Sequence, residues 1–308
     1  MKNKFPGQTE KYSKTIGLFS YEKEGEGVSE KNRNQSTIVL VHGLDDPGKV
    51  WQNLAPALVK EDFDVWHLEY PNDQPVVESA FLFFEELKNL RSRGVNRITI
   101  VAHSMGGLVS RELLTSDTLG YRSSLQQKRV PLVDRLIMIG TPNHGSQMAR
   151  FRIFSEIRDH LDRLFKGQAN GLGFVLDGAG EAKIDLLPGS SFLTELNARP
   201  HPAEVDMMII AGITAPWEES DITNWLNNIG EKVGSERSDE LKQVGRFMQS
   251  MSNGLGDGLV TLESASLEDV PLITVNGTHL SMIRNISLDS MRIPPAVPLI
   301  IERLNEGR

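Results

Sequence analysis

Apolar positions along this chain fall into short β-branched runs, separated by stretches in which they recur every three or four residues. Thr37-Ile38-Val39-Leu40-Val41 is such a run. It suits a strand buried on both faces and is too short for a helix. Phe63–Tyr70, Ile98–Val101, Arg135–Gly140, Met207–Gly212 and Pro271–Asn276 share that character, and Thr15–Tyr21 predicts a first strand. Between the runs, Trp51, Leu54 and Leu58 mark a helix over Val50–Lys60. Phe81, Phe84, Leu87 and Leu90 mark a longer helix that begins near Pro75, runs through Arg93 and stops at Gly94. Leu108, Val109, Leu113 and Leu114 mark a third, and Pro295–Leu304 a closing one. Strands alternating with helices of this length predict an α/β architecture, a mostly parallel central sheet covered by helices.

Two segments break the alternation, 147–204 and 213–256. The chain is therefore expected to be a single α/β domain over 1–308 in which these two are cap or lid insertions. Each carries an amphipathic pattern, Phe154, Ile157, Leu161 and Leu164 in one, Val244, Phe247, Met248 and Met251 in the other. A short helix through Leu196 is expected near the end of the first. Loops at the C-terminal edge of such a sheet surround its site, so the insertions are expected to roof it. The alternative is that both apolar faces pack on the body. Residues 1–13 read as a loose polar arm, and 22–35 as a charged, glycine-containing loop.

The 308 residues include 39% hydrophobic and 24% charged positions, ordinary values for a globular chain, with a net charge of −8. An acidic balance of that size argues against a nucleic-acid partner, which needs a basic face. The chain has no cysteine, which excludes disulfides, thiolate metal sites and a cysteine nucleophile. No apolar run approaches a membrane span, and Met1–Ser13 has no apolar signal core. A cytoplasmic location is the expectation.

Candidate chemistry centres on Ala102-His103-Ser104-Met105-Gly106, which closes an apolar strand and opens an apolar helix. A turn that sharp brings strand and helix backbones together, so the residues two before and two after Ser104 must be small. This resembles the nucleophile elbow of the α/β-hydrolases, with alanine replacing the usual first glycine. A serine hydroxyl is a poor nucleophile at neutral pH and needs a base, itself oriented by an acid. In the order that the resemblance implies, acid and then histidine follow the serine. His42 and His67 precede Ser104, and His103 adjoins it. His144, His160 and His201 precede the strand Met207–Gly212, after which the acid is expected, so His279 remains. The acid is best matched by Asp257, between Gly256 and Gly258 in a sequence that permits a tight turn. Glu218, Glu219 and Asp221 are the alternatives.

Together His42-Gly43-Leu44, the elbow, Thr141-Pro142-Asn143-His144-Gly145-Ser146, Asp257-Gly258-Leu259-Val260 and His279 resemble the lipases and esterases of the bacterial triacylglycerol-lipase type and their relatives, including lipid-anchor deacylases. The likeness spans roughly residues 37–280. It implies the α/β-hydrolase fold and an oxyanion hole made by the backbone N–H groups of Leu44 and Met105. It further implies a serine hydrolase that cleaves carboxylic esters through an acyl-enzyme, with catalytic residues Ser104, Asp257 and His279. No metal or organic cofactor is expected. The expected partner is a small-molecule or lipid ester, with transient contact to a lipid surface compatible with it. An acyltransferase on the same fold, and a non-catalytic hydrolase-fold binding protein, are the alternatives.

Overall fold

Alternate residues of the central strands face opposite sides of one sheet, and both sides are apolar. The computed structural model describes residues 16–21, 36–44, 48–71, 74–146, 184–213, 256–285, 287 and 290–306. Its strands are β1 (Gly17–Ser20), β2 (Thr37–Val41), β3 (Asp64–Glu69), β4 (Arg97–His103), β5 (Leu132–Ile139), β6 (Asp206–Ile213) and β7 (Leu272–Asn276). They form one sheet in the order β1-β3-β2-β4-β5-β6-β7, with β1 antiparallel to β3 and the other pairs parallel. On one face Val39, Val41, Ile100, Ala102, Leu136 and Ile209 join a core with helices α2 (Val76–Ser92) and α3 (Met105–Thr115). On the other, Ile38, Leu40, Val101, Ile137 and Ile210 join one with α1 (Leu54–Lys60) and α7 (Ala296–Asn305). Each fully buried Leu, Ile or Val in these layers contributes roughly 1.5–3 kcal/mol. The expected doubly covered, mostly parallel sheet is the one observed.

Several elements differ from the sequence reading. The helix expected over Val50–Lys60 is split into a 3-10 turn, Lys49–Gln52, and α1. Pro56 explains the break: in a continuous helix it would need to donate to Gln52, and it has no N–H, whereas in the first turn of α1 none is required. The interruption lets Gln52 donate to the Asn285 carbonyl and Asn53 accept from the Asn285 N–H, at 2.6 and 2.8 Å. Strand β5 begins at Leu132, before the expected Arg135. Its charged Asp134 and Arg135 are paired, accepting from Thr99 at 3.0 Å and donating to Asp206 at 2.9 Å. Helices α4 (Tyr121–Gln126) and α6 (Leu262–Ala265) were not expected, being too short to show a period. The short helix through Leu196 is α5 (Ser191–Ala198). The two amphipathic patterns around Phe154 and Phe247 lie outside the described residues.

Helix α2 buries Val76, Ala80, Phe83, Phe84, Leu87 and Leu90, while Phe81 is 51% exposed. Phe81 was expected on the apolar face, but it stands about 100° round the axis from Ala80. Among the described residues, no helix is long and apolar enough to cross a membrane. The burial pattern makes a direct prediction. Phe83→Ala should lower the unfolding free energy by about 3–5 kcal/mol, and Phe81→Ala by about 0.5 kcal/mol or less, as read from urea unfolding curves.

Candidate active site

The sheet order places β2 and β4 side by side, while the strand that follows β2 lies on its far side. This is the point at which the strand order reverses, and in open α/β sheets the crevice at the C-terminal ends of such strands holds the ligand. Val41 pairs with Ala102, so His42-Gly43 and His103-Ser104 emerge together at that edge. Ser104 connects β4 to α3 with φ 54° and ψ −128°, a conformation an L-residue adopts under constraint. The constraint is visible at Gly106, where a methyl would come within 2.3 Å of the Val41 carbonyl oxygen and 2.6 Å of that of His42. Of the small residues expected around the serine, Gly106 is therefore required by the approach of α3 to the end of β2.

The loop after β2 lies against the hydroxyl: a methyl on Gly43 would be 2.7 Å from Ser104 Cβ and 3.2 Å from its Oγ. Leu44 follows in that loop, half-buried. Met105 is the first residue of α3, where backbone N–H groups have no acceptor within the helix.

Asp257 and His279, the acid and base expected from the sequence, are both buried and bonded, Nδ1 to Oδ2 at 2.7 Å. The other carboxylate oxygen of Asp257 accepts from the N–H groups of Leu259 and Val260 at 2.9 and 2.8 Å. The His279 N–H donates to the Asp257 carbonyl at 2.9 Å, closing a second link between the two residues. Asp257 packs on Gly212 of β6, where a methyl would lie 2.7 Å from its Cβ. Gly140, at the end of β5, has φ +56° and faces the pair: a methyl there would come within 3.0 Å of Asp257 Oδ2 and 3.1 Å of His279 Cε1. The structure thus joins Asp257 to His279 and sets both at the edge that holds Ser104; among the described residues it records no hydrogen bond between Ser104 and His279. Such bonds often tighten only with substrate bound. Glu218, Glu219 and Asp221 lie outside the described residues.

His42 is buried and stacks on Tyr70 at 4.5 Å, and its carbonyl accepts from the Tyr70 hydroxyl at 2.6 Å. Burial, with the Glu69 carboxylate adding to it, pushes the Tyr70 phenol up. Among the described residues, no cluster of three or more His, Asp or Glu side chains is set to hold a metal ion.

The loop Thr141–Ser146 has a mechanical part that its sequence did not reveal. Asn143 is fully buried; its Nδ2 donates to the Ala265 carbonyl at 2.7 Å, and its Oδ1 accepts from Arg111 at 3.0 Å. Ser146 Oγ donates to the Leu259 carbonyl at 2.7 Å. The loop therefore clasps the segment that carries Asp257 to the end of β5. Arg111 of α3 spans the clasp, its second nitrogen reaching Asn197 of α5 at 2.9 Å. Burial first, and then the charge of Arg199, push its guanidinium down to about 10, so it remains charged at neutral pH.

The profile of the family described as "Domain of unknown function (DUF7379)" matches residues 77–255, more than half of the chain. The chain belongs to the DUF7379 family. The matched DUF7379 stretch contains Ser104 and Met105 and ends two residues before Asp257. No curated protein matches the chain. Among solved structures, the mature form of the Bacillus licheniformis lipase BlEst2 is similar, with a TM-score of 0.57 and 20% identity over 93% of this chain and 97% of that one. The metagenomic carboxyl esterase MGS0156 is similar with a TM-score of 0.55 and 18% identity over 94% of this chain and 82% of that one. The Legionella pneumophila phospholipase PlaB gives 0.55 and 16% over 87% of this chain. The chain spans 59% of the PlaB chain and 53% of the propeptide form of BlEst2. At these identities the likeness establishes the fold: the DUF7379 chain has the α/β-hydrolase fold.

The clasp yields a prediction. Arg111→Met leaves the Oδ1 atoms of Asn143 and Asn197 without their donor and should lower the unfolding free energy by about 2 kcal/mol. Arg111→Lys should not restore it, because one ammonium cannot reproduce the two-pronged fork. Thermal unfolding of the three proteins checks both statements.

Proposed function

We propose that this protein is a serine hydrolase that cleaves carboxylic esters through an acyl-enzyme. The observation that carries the reading is the buried 2.7 Å pair of His279 and Asp257 at the sheet edge where Ser104 is held in a strained turn. Ser104 Oγ attacks the acyl carbon. The His279 Nε2, free of the Asp257 bond, takes the hydroxyl proton and returns it to the leaving alcohol. Asp257 keeps the other proton on Nδ1 and stabilises the imidazolium as it forms. The N–H groups of Leu44 and Met105 meet the charge on the carbonyl oxygen, usually the largest single catalytic contribution. Water then resolves the acyl-enzyme. The chemistry calls for no metal or organic cofactor. The lipase, esterase and phospholipase neighbours on the same fold support the ester class.

Leu259 and Leu280, two and one residues from the acid and base, are both exposed and offer apolar surface beside the pair. This favours an acyl chain longer than acetate, since each buried CH₂ contributes roughly 0.8 kcal/mol. Two other readings use the same fold. In an acyltransferase an alcohol replaces water in the second step, and products formed with added alcohols reveal it. In a non-catalytic binding protein Ser104 would be unreactive.

A fluorophosphonate probe should label the wild type at Ser104 and leave Ser104→Ala unlabelled. On p-nitrophenyl esters from acetate to palmitate, kcat/KM should rise to at least octanoate, and Ser104→Ala should lower kcat by at least about 1,000-fold. Asp257→Asn should reduce kcat severely and Glu219→Gln only slightly. An unlabelled wild type with no ester turnover would sink the reading; the opposite ranking of the two carboxylate variants would move the acid elsewhere.

A further inference from the structure

His103 stands directly before the nucleophile and has no part in the chemistry above. It is 2% exposed, and its Nε2 lies 3.0 Å from the carbonyl oxygen of His279. The two imidazole rings are 4.7 Å apart, inclined at 49°. Trp51 meets the His103 ring edge-on at 6.5 Å.

A carbonyl oxygen only accepts, so Nε2 of His103 must carry the hydrogen and donate it. Nδ1 is buried with no hydrogen-bond partner among the described residues. One proton, on Nε2, therefore makes the one hydrogen bond recorded for the ring among the described residues. A second, on Nδ1, would create a buried unpartnered donor and a buried cation against His279, both costly. Burial above all, then the neighbouring His279, Arg284 and His42, hold His103 well below the usual histidine range, against the opposing pull of the His279 carbonyl. The ring is the neutral Nε2–H form.

The consequence falls on His279. Its peptide is held at both ends, the N–H by the Asp257 carbonyl at 2.9 Å and the C=O by His103 at 3.0 Å. Its side chain is held by Asp257 Oδ2. Two of these three bonds come from one loop residue, Asp257. Only the third refers His279 to the rigid β4 strand, and it does so from the residue bonded to Ser104. Ser104 and His279 are thereby referred to adjacent residues of one strand end, Ser104 bearing the hydroxyl and His103, just before it, tethering the residue that bears the imidazole.

We propose that His103 is a positioning residue for proton transfer at Ser104: its Nε2–H bond to the His279 carbonyl holds the His279 imidazole within reach of the serine hydroxyl. The inference rests on the serine-hydrolase reading. It differs from a packing role in one respect, since it requires the donor and not merely the ring. His103→Gln keeps an N–H donor at the reach of Nε2, whereas His103→Phe keeps a ring and loses the donor.

The test compares wild type, His103→Gln and His103→Phe as full chains. It measures fluorophosphonate labelling, kcat and KM on one p-nitrophenyl ester, and the downfield proton resonance of His279 Nδ1–H bonded to Asp257. His103→Phe should lower kcat and the labelling rate about 100-fold, the scale of an ångström's misplacement, with KM nearly unchanged and the downfield signal broadened. His103→Gln should recover most of the rate and keep the signal. Equal losses in both variants, or wild-type labelling of His103→Phe, would overturn the tether. Should His103→Phe not fold, His103→Asn replaces it, with an amide too short to reach the carbonyl. Should the wild type itself not label, the hydrolase reading fails, and the resonance alone decides: persistence in the donorless variant overturns the tether, and loss there with retention in His103→Gln supports it.

Discussion

At Ser104 the chain passes from strand to helix through a backbone conformation that an isolated serine avoids, φ 54° and ψ −128°. Holding a side chain there costs on the order of 1–3 kcal/mol. The surroundings leave no alternative. The Ser104 N–H is bonded to the Ile139 carbonyl at 2.8 Å, and its own carbonyl accepts from Gly107 at 3.0 Å. Behind the turn, β4 and α3 are buried along nearly their whole length. Strain at one residue is sustained by a core that covers both faces of the sheet.

The rest of the edge is arranged to leave that turn room. Gly106 lets α3 start against the end of β2, and Gly43 lets the next loop lie beside the hydroxyl. On the other side, Gly140 and Gly212 leave space for His279 and Asp257 at the ends of β5 and β6. Four strand ends thus converge on one crevice, and side chains that would fill it are missing where Ser104, His279 and Asp257 stand.

Buried polar residues tie these parts together. Asn143 and Ser146 fasten the segment bearing Asp257 to the end of β5, and Arg111 joins that clasp to α3 and α5. Glu112, the next residue of α3, is buried against Arg199 at 2.5 Å. Every polar group in such a network must be satisfied, so the network specifies one arrangement of loops where apolar packing would tolerate several.

Read alone, the sequence determined the order of the strands and of the longer helices, the double cover of the sheet, the elbow at Ser104, and the candidacy of His279 and Asp257. Those features are local: a buried strand needs a continuous apolar run, a helix a period, and a sharp turn small neighbours. Position along the chain, read in the order that the resemblance implies, then sufficed to select one histidine of seven. The pairing of Asp257 with His279 across 22 residues was decided by tertiary structure, because a carboxylate among glycines reads the same whether it faces solvent or an imidazole. The same holds for Phe81 and Phe83, which differ by about 200° round one helix, and for the clasp at Asn143. It holds most for His103, which in sequence is only the residue before the serine. Its donor meets a carbonyl 176 residues away, and no local pattern encodes a contact between two groups that only the folded sheet brings together.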